Sequence, residues 1–428
     1  MTAAPRFGGS RGVRHPTTER VALDRDVLAD DLRVHVFPAC GVSPAPPRIG
    51  AEVELIPVDR ATGRPLPLDG AERSTLEILR RAGASAGWRE RASVKAMVPE
   101  IEMPDGGRIT FEPGGQIEIS AAPNASLSGL VAGLRSTVES IAGAAPPDVA
   151  LLSVGIDPET PVEAVPPQLH AERYRRMLAY FETIGPSGAR MMRQTASFQV
   201  CVDAVVTPMR TWRMLNALAP YMVAMFANSR RYAGRDSGHR SFRRETWATL
   251  DPRRTGVLGL EEDAIAEYLD FALNAPAFLL GEAGLRAMPF GCWLDQNAVT
   301  AADWCTHLTT LFPEVRPRGY FELRSADVVP PEWYPAPLVL VAGLAYHPPS
   351  LETAADLLGP PSPELLACSG REGLAHPTLA GVAPLLCDLA LDGCAALGEG
   401  FVSPSDLATA AEYFDRYTNR GRSLADDS

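Results

Sequence analysis

Apolar side chains fall at every second position in several short runs of this chain, and at helical spacing in the stretches between them. Residues 48–59, RIGAEVELIPVD, predict a strand with Val53 and Leu55 on one face and Glu52 and Glu54 on the other. The alternation is strictest in residues 193–204, RQTASFQVCVDA. There Ala196, Phe198, Val200 and Val202 face one way, and Thr195, Ser197, Gln199, Cys201 and Asp203 the other. Residues 108–120, RITFEPGGQIEIS, cannot run straight through a proline and two glycines, so they predict a pair of short strands or one bent strand. ALLSVGID (150–157) reads as a buried strand, and GYFELRS (319–325) as another with Glu322 and Arg324 on its polar side. Helical spacing covers LDRDVLADDLRVHVF (23–37), STLEILRRAGASAG with Ser74 as N-cap, SLSGLVAGLRSTVESIAGAA (126–145) and QLHAERYRRMLAYFETIG (168–185). It returns in MRTWRMLNALAPYMVAMFANS (209–229), EEDAIAEYLDFALNAP (261–276) and a final helix in SPSDLATAAEYFDRYTNRG (403–421). The stretch 230–256 between the two long helices reads as a loop dense in arginine. The class is α+β.

The polar faces of the strands are rich in carboxylates where a solvated sheet face would be mixed. Residues two apart on a strand point the same way about 6.5–7 Å apart, so Glu52 and Glu54 form a rigid acidic edge. Glu112 and Glu118 would lie about 20 Å apart on a straight strand, and only the PGG bend can bring both toward one site. Gathered carboxylates repel, and a hard cation such as Mg²⁺ is the natural way to hold them ionised together. The arginines of residues 230–254, among them Arg235, Arg240 and Arg243, are the complement, because planar guanidinium groups grip phosphate oxygens in pairs.

Composition narrows the function further. The 428 residues are 46% hydrophobic, enough for one large core or two cooperating domains. A net charge of -12 with no lysine or arginine block argues against nucleic acid. The seven cysteines are scattered without a CxxC, which fits reduced thiols in a cytoplasmic compartment. Residues 1–20 read as a flexible tail without the apolar core of a secretory signal, and no apolar run is long enough to predict a membrane span. No GxxxxGK[ST], HExxH or GxSxG occurs. Cys201 faces the candidate site, but a lone thiol among small polar residues reads as a space-filler.

Five motifs in order, EVE, FEPGGQIEIS, MMRQTASFQVCVD, FANSR and WCTHLTTLFPEVRPRGYFELRSAD, make the chain resemble the glutamate–cysteine ligases of the plant and proteobacterial type. The nearest pattern is that of the actinobacterial branch serving ergothioneine biosynthesis. The likeness runs from about residue 48 to residue 330. It implies a glutamine-synthetase-like catalytic domain, whose curved, mainly antiparallel sheet forms an active-site funnel with helices outside. Residues 21–428 would form that one domain, mainly helical from about residue 331. The resemblance implies ATP and Mg²⁺ as cofactors and L-glutamate and L-cysteine as substrates. The expected product is γ-glutamylcysteine, made through a γ-glutamyl phosphate by a monomer or weak homo-oligomer.

Carried over motif by motif, the resemblance implies Glu52, Glu54, Glu112, Glu118 and Glu322 as metal ligands. It implies Arg193, Thr195, Gln199 and Arg324 around the amino-acid substrates, and Gln116, Arg235, Arg240 and Arg243 toward the nucleotide. Glu52, Arg240 and Arg324 would take part in the chemistry. Where the family strand commonly reads RTxTxQ, this chain has RQTASFQ, which leaves the acceptor open. The alternatives are a ligase of the same fold joining glutamate to another amine, and a non-catalytic nucleotide or amino-acid sensor.

Overall fold

The computed structural model describes residues 23–38, 47–70, 73–93, 98–203, 207–281 and 287–427. The expected tail at 1–20, the proline-rich stretch before Arg48 and Cys40 lie outside the described residues. Thirteen strands occur in chain order among the described residues. They are β1 (Ile49–Asp59), β2 (Arg89–Arg91), β3 (Glu100–Glu102), β4 (Arg108–Phe111), β5 (Ile117–Ser120), β6 (Val149–Leu152) and β7 (Ser197–Val202). The two-residue strands β8 (Arg231–Tyr232), β9 (Arg235–Asp236), β10 (Thr255–Gly256) and β11 (Phe312–Pro313) follow, then β12 (Val315–Pro317) and β13 (Phe321–Asp327).

Nine of them build one sheet in the order β12-β13-β7-β1-β5-β4-β3-β2, with β6 pairing the far end of β1. Every pairing in it is antiparallel. Alternation divides its faces as the pattern required. Ile49, Ala51, Val53 and Leu55 of β1, Ile117 and Ile119 of β5, Phe198 and Val200 of β7, and Phe321 and Leu323 of β13 are buried in the main core. Helices Leu127–Ala144, Pro208–Met225 and Pro335–Tyr346 pack on that apolar face. The opposite face carries the carboxylates.

The strand at 108–120 is a hairpin, β4 and β5 paired from Arg108↔Ser120 to Phe111↔Ile117 around the PGG turn. Three expectations change. β6 is mostly half-buried, because it pairs only with β1. Residues 193 and 194 close a helix, Ser187–Gln194, and the strand starts at Ser197; Pro186 begins a new helix immediately after ending the one before. The stretch 230–256 is built structure and not an open loop: a β8–β9 hairpin, then helix Phe242–Ala248 capped by Ser241, whose side chain accepts from Arg244 N.

From Pro331 onward the structure is helical. Helix Pro377–Leu397 is long and apolar enough to cross a membrane, the one such helix among the described residues. It lies along helix Pro335–Tyr346 so closely that a Cβ on Gly343 would stand 2.0 Å from the carbonyl oxygen of Ala390. A helix packed backbone to backbone against the core helix is a bundle member.

Candidate active site

The sheet ladder assembles the acidic cluster. Glu54 of β1 lies directly opposite Glu118 of β5, and Glu52 lies between Ser120 and Gln199 on the two neighbouring strands. The PGG turn then swings Glu112 over the same face. One carboxylate oxygen each from Glu54, Glu112 and Glu118 lies within 4.8 Å of the other two. Thr110 Oγ1 donates to Glu118 at 2.7 Å, and Ser197 N donates to Glu54 at 2.7 Å.

Burial raises the pKa of all three, and mutual repulsion adds to it at Glu112 and Glu118. Burial with the charges of Glu322 and Glu118 pushes Glu52 up to about 8. Three converging hard-oxygen ligands whose charges oppose one another are the donor set that Mg²⁺ takes, so the residues fit such an ion.

Beside this acidic patch lies its counterpart. Glu322 of β13, fully buried, pairs with Arg324 on its own strand, with Arg318 at 3.0 Å and with Arg316 at 3.4 Å. Burial alone would raise its pKa, but Arg316, Arg324 and Arg318 together hold it at about 2. A β-bulge between Leu323 and Ala326, against β7, inserts an extra residue where Arg324 sits, and Arg324 Nη1 donates to Gln199 Oε1 at 2.7 Å. Glu322 is thus placed as an arginine anchor, and a cation there would have to displace a guanidinium group.

Arg316 and Arg318 are additions that the sequence reading missed. Their signal was present in VRPRG: an RxR just before a turn and an ExR puts all four side chains on one hairpin face. Cys201 lies opposite Glu322 on the ladder, and burial, with the charges of Glu322 and Glu52, holds its thiol protonated, as a space-filler requires.

The other expected residues divide. Arg193, on its helix, donates to the carbonyl oxygens of Val165 and Ala189, and the carboxylates acting on it are Glu182 and Glu163, so it is not brought to the cluster. Thr195 donates its hydroxyl to Met191 O, closing that helix. Gln116 is buried, accepts from Gly114 N and donates to Thr195 O, both at 3.0 Å, so its amide is spent on the turn. Arg235 is exposed on β9, and Arg240 pairs with Asp426. Arg243 does reach the site. It is buried, donates to Arg324 O at 2.8 Å, and Asp327 and Glu54 both act on it. Asp327 also accepts from Asn228 N, Ser229 Oγ and Ser241 Oγ, which fastens the base of the arginine segment to the sheet.

Residues 48–369 match the model of glutamate–cysteine ligase family 2. The chain belongs to that family. Among its relatives, a glutamate–cysteine ligase EgtA of Mycolicibacterium smegmatis is 37% identical over 292 residues, 64% of this chain and 67% of that protein. The EgtA of Mycobacterium tuberculosis is 33% identical over 79% of this chain and 80% of its own. A chloroplastic glutamate–cysteine ligase A of Oryza sativa is 30% identical over 83% and 74%. The crystal structure of the Francisella tularensis glutamate–cysteine ligase in complex with AMP superposes over 92% of this chain and 85% of that one. Its TM-score is 0.53 at 11% identity, a likeness of fold.

Proposed function

We propose that the protein joins the γ-carboxylate of L-glutamate to the amine of L-cysteine at the expense of ATP, giving γ-glutamylcysteine. The observation that carries the reading is the pairing, on one sheet face, of a three-carboxylate cation site with an arginine cluster, in which Arg243 is buried, Arg316 and Arg324 are half-buried and Arg318 is exposed. That face is the inner wall of a glutamine-synthetase-like funnel, and residues 21–428 act as one catalytic domain.

A carboxylate does not acylate an amine directly, because oxide is not a leaving group. Phosphorylation of the γ-carboxylate by ATP turns that oxygen into phosphate, which the amine can displace. When bound, Mg²⁺ would supply positive charge to offset that of the phosphate oxygens. Glu54, Glu112 and Glu118 would hold it, with Glu52 beside them. Arg324, held by Glu322 and Gln199, and Arg316, Arg318 and Arg243 present fixed positive charge to the phosphoryl group and to the oxyanion formed when the amine attacks. No protein nucleophile is needed. Likeness to the EgtA proteins supports an origin in ergothioneine biosynthesis, and the free thiols suit a cytoplasmic enzyme.

The test is purified protein with ATP, Mg²⁺ and glutamate. Cysteine should stimulate phosphate release and γ-glutamylcysteine should appear by mass spectrometry. Phosphate release that needs another amine would move the assignment to a ligase with a different acceptor, and binding without turnover would mark a sensor.

A further inference from the structure

Glu112 differs from its two partners in what holds it. Glu54 and Glu118 are a cross-strand pair locked by the ladder, whereas Glu112 stands at the mouth of the PGG turn, with Pro113 and the two glycines beyond it. Repulsion from Glu118 and Glu54 acts to push it away. Its backbone is tied within the turn, where Glu112 N donates to Gln116 O at 3.0 Å and Glu112 O accepts from Gly115 N at 2.8 Å, so the place of its carboxylate depends on what holds the turn itself.

Gln168 braces that turn from outside the hairpin. It lies in the chain between the short helical turn Val162–Ala164 and helix Glu172–Glu182, and no sequence motif marks it. Its backbone N donates to Pro113 O at 2.6 Å. Its side-chain amide donates to Gly114 O at 2.8 Å and Leu66 O at 2.9 Å, and its Oε1 accepts from Leu68 N. The turn is shaped to receive it. Gly115 has φ 88°, and a Cβ there would come 2.6 Å from Gln168 Nε2. On the other side Gln116 holds Gly114 N and Thr195 O. Gly114 is therefore gripped at both its N–H and its carbonyl, by two different glutamine side chains.

We propose that Gln168 is a positioning residue that holds Glu112 at the third corner of the cation site and so sets the affinity for Mg²⁺. The inference rests on the reading of Glu54, Glu112 and Glu118 as that site. Residues that orient a metal ligand typically change affinity 10- to 100-fold when altered.

The experiment is calorimetric titration of Mg²⁺ into the purified full chain, with Gln168→Glu, the near-isosteric Gln168→Met and Glu112→Gln alongside. Both Gln168 variants should bind Mg²⁺ about 10-fold or more weakly. The Mg²⁺ concentration for half-maximal activity should rise by the same factor, with a smaller change in kcat at saturating Mg²⁺. A folded Gln168→Met protein with a lowered Tm and unchanged Mg²⁺ affinity would show a purely structural role and overturn the proposal. In the unaltered protein, Mg²⁺ should raise hydrogen-exchange protection at Gly114–Gln116 and at Leu68 and Gln168 together. Protection of the turn alone would also overturn it. Unchanged Mg²⁺ affinity in Glu112→Gln would instead remove the cation-site reading on which the proposal stands.

Discussion

Three carboxylates within reach of one another are held there against their own repulsion, so removing one charge has opposite effects on function and on stability. Glu112→Gln and Glu54→Gln should lower turnover by at least two orders of magnitude. Each should leave the melting temperature without Mg²⁺ equal or higher, and should lose most of the stabilisation that Mg²⁺ gives the parent. Steady-state kinetics and thermal melts with and without Mg²⁺ check both halves. The arginines separate just as clearly. Arg243→Ala should reduce turnover at least 100-fold, because its guanidinium is buried against Arg324 and Glu54. Arg240→Ala, whose partner is Asp426, should leave the apparent affinity for ATP within about twofold and turnover likewise. The ExE spacing and the PGG interruption made the acidic cluster legible, because strand geometry converts two-residue spacing directly into a shared face. Arg193 and Gln116 were misplaced for a physical reason: a helix ends two residues before β7 begins, and an amide's partners depend on chain segments far away in sequence.

At the level of elements, the decisive one is the turn between β4 and β5. A Cβ on Gly114 would stand 2.0 Å from the backbone oxygen of Arg193, and backbone has no rotamer with which to give way. Gly114→Ala should therefore cost about 3 kcal/mol or more by urea denaturation, and should weaken Mg²⁺ activation through displaced Glu112. Wild-type stability together with normal Mg²⁺ dependence would show that the turn can relax without moving its carboxylate. Alternation predicted the long strands β1 and β7, and the PGG interruption predicted a pair of short strands or one bent strand where the β4–β5 hairpin lies. The two-residue strands β8 to β11 and the three-residue β2 and β3 were hidden, because so few residues carry no detectable period and their pairing is decided by the sheet they join. Helix Phe242–Ala248 was hidden by its two arginines, Arg243 and Arg244, both of which are buried.

For the molecule as a whole, the buried His307 gives a pH signature distinct from the active site. It bonds through Nε2 to Ala272 O at 2.8 Å and stacks on Phe290 at 4.6 Å, and burial pushes its pKa down to about 3. The folded protein keeps it neutral while the unfolded chain protonates it below about pH 6.5. Its contribution is therefore present above pH 6.5 and lost as pH falls toward 3, by up to about 1.4 kcal/mol per pH unit. Glu52 acts in the opposite sense: with its pKa near 8, it costs stability as pH rises from about 4.5 to 8 when no cation is bound. His307→Gln should flatten the acid side of a plot of unfolding free energy against pH and leave the alkaline side unchanged. An identical slope between pH 6.5 and 5 in the two proteins would refute the assignment. At the far rim of the sheet, β2 is a three-residue edge reading Arg-Glu-Arg, exposed throughout, with Arg91 paired to Glu102 of β3 and Glu90 to Arg80. Short, charged edges refuse to template further strands. A sheet this wide, left open on that side, is thereby kept from growing into its neighbours, and replacing Arg89 and Arg91 with valine should turn a well-behaved solution into one that clouds on concentration.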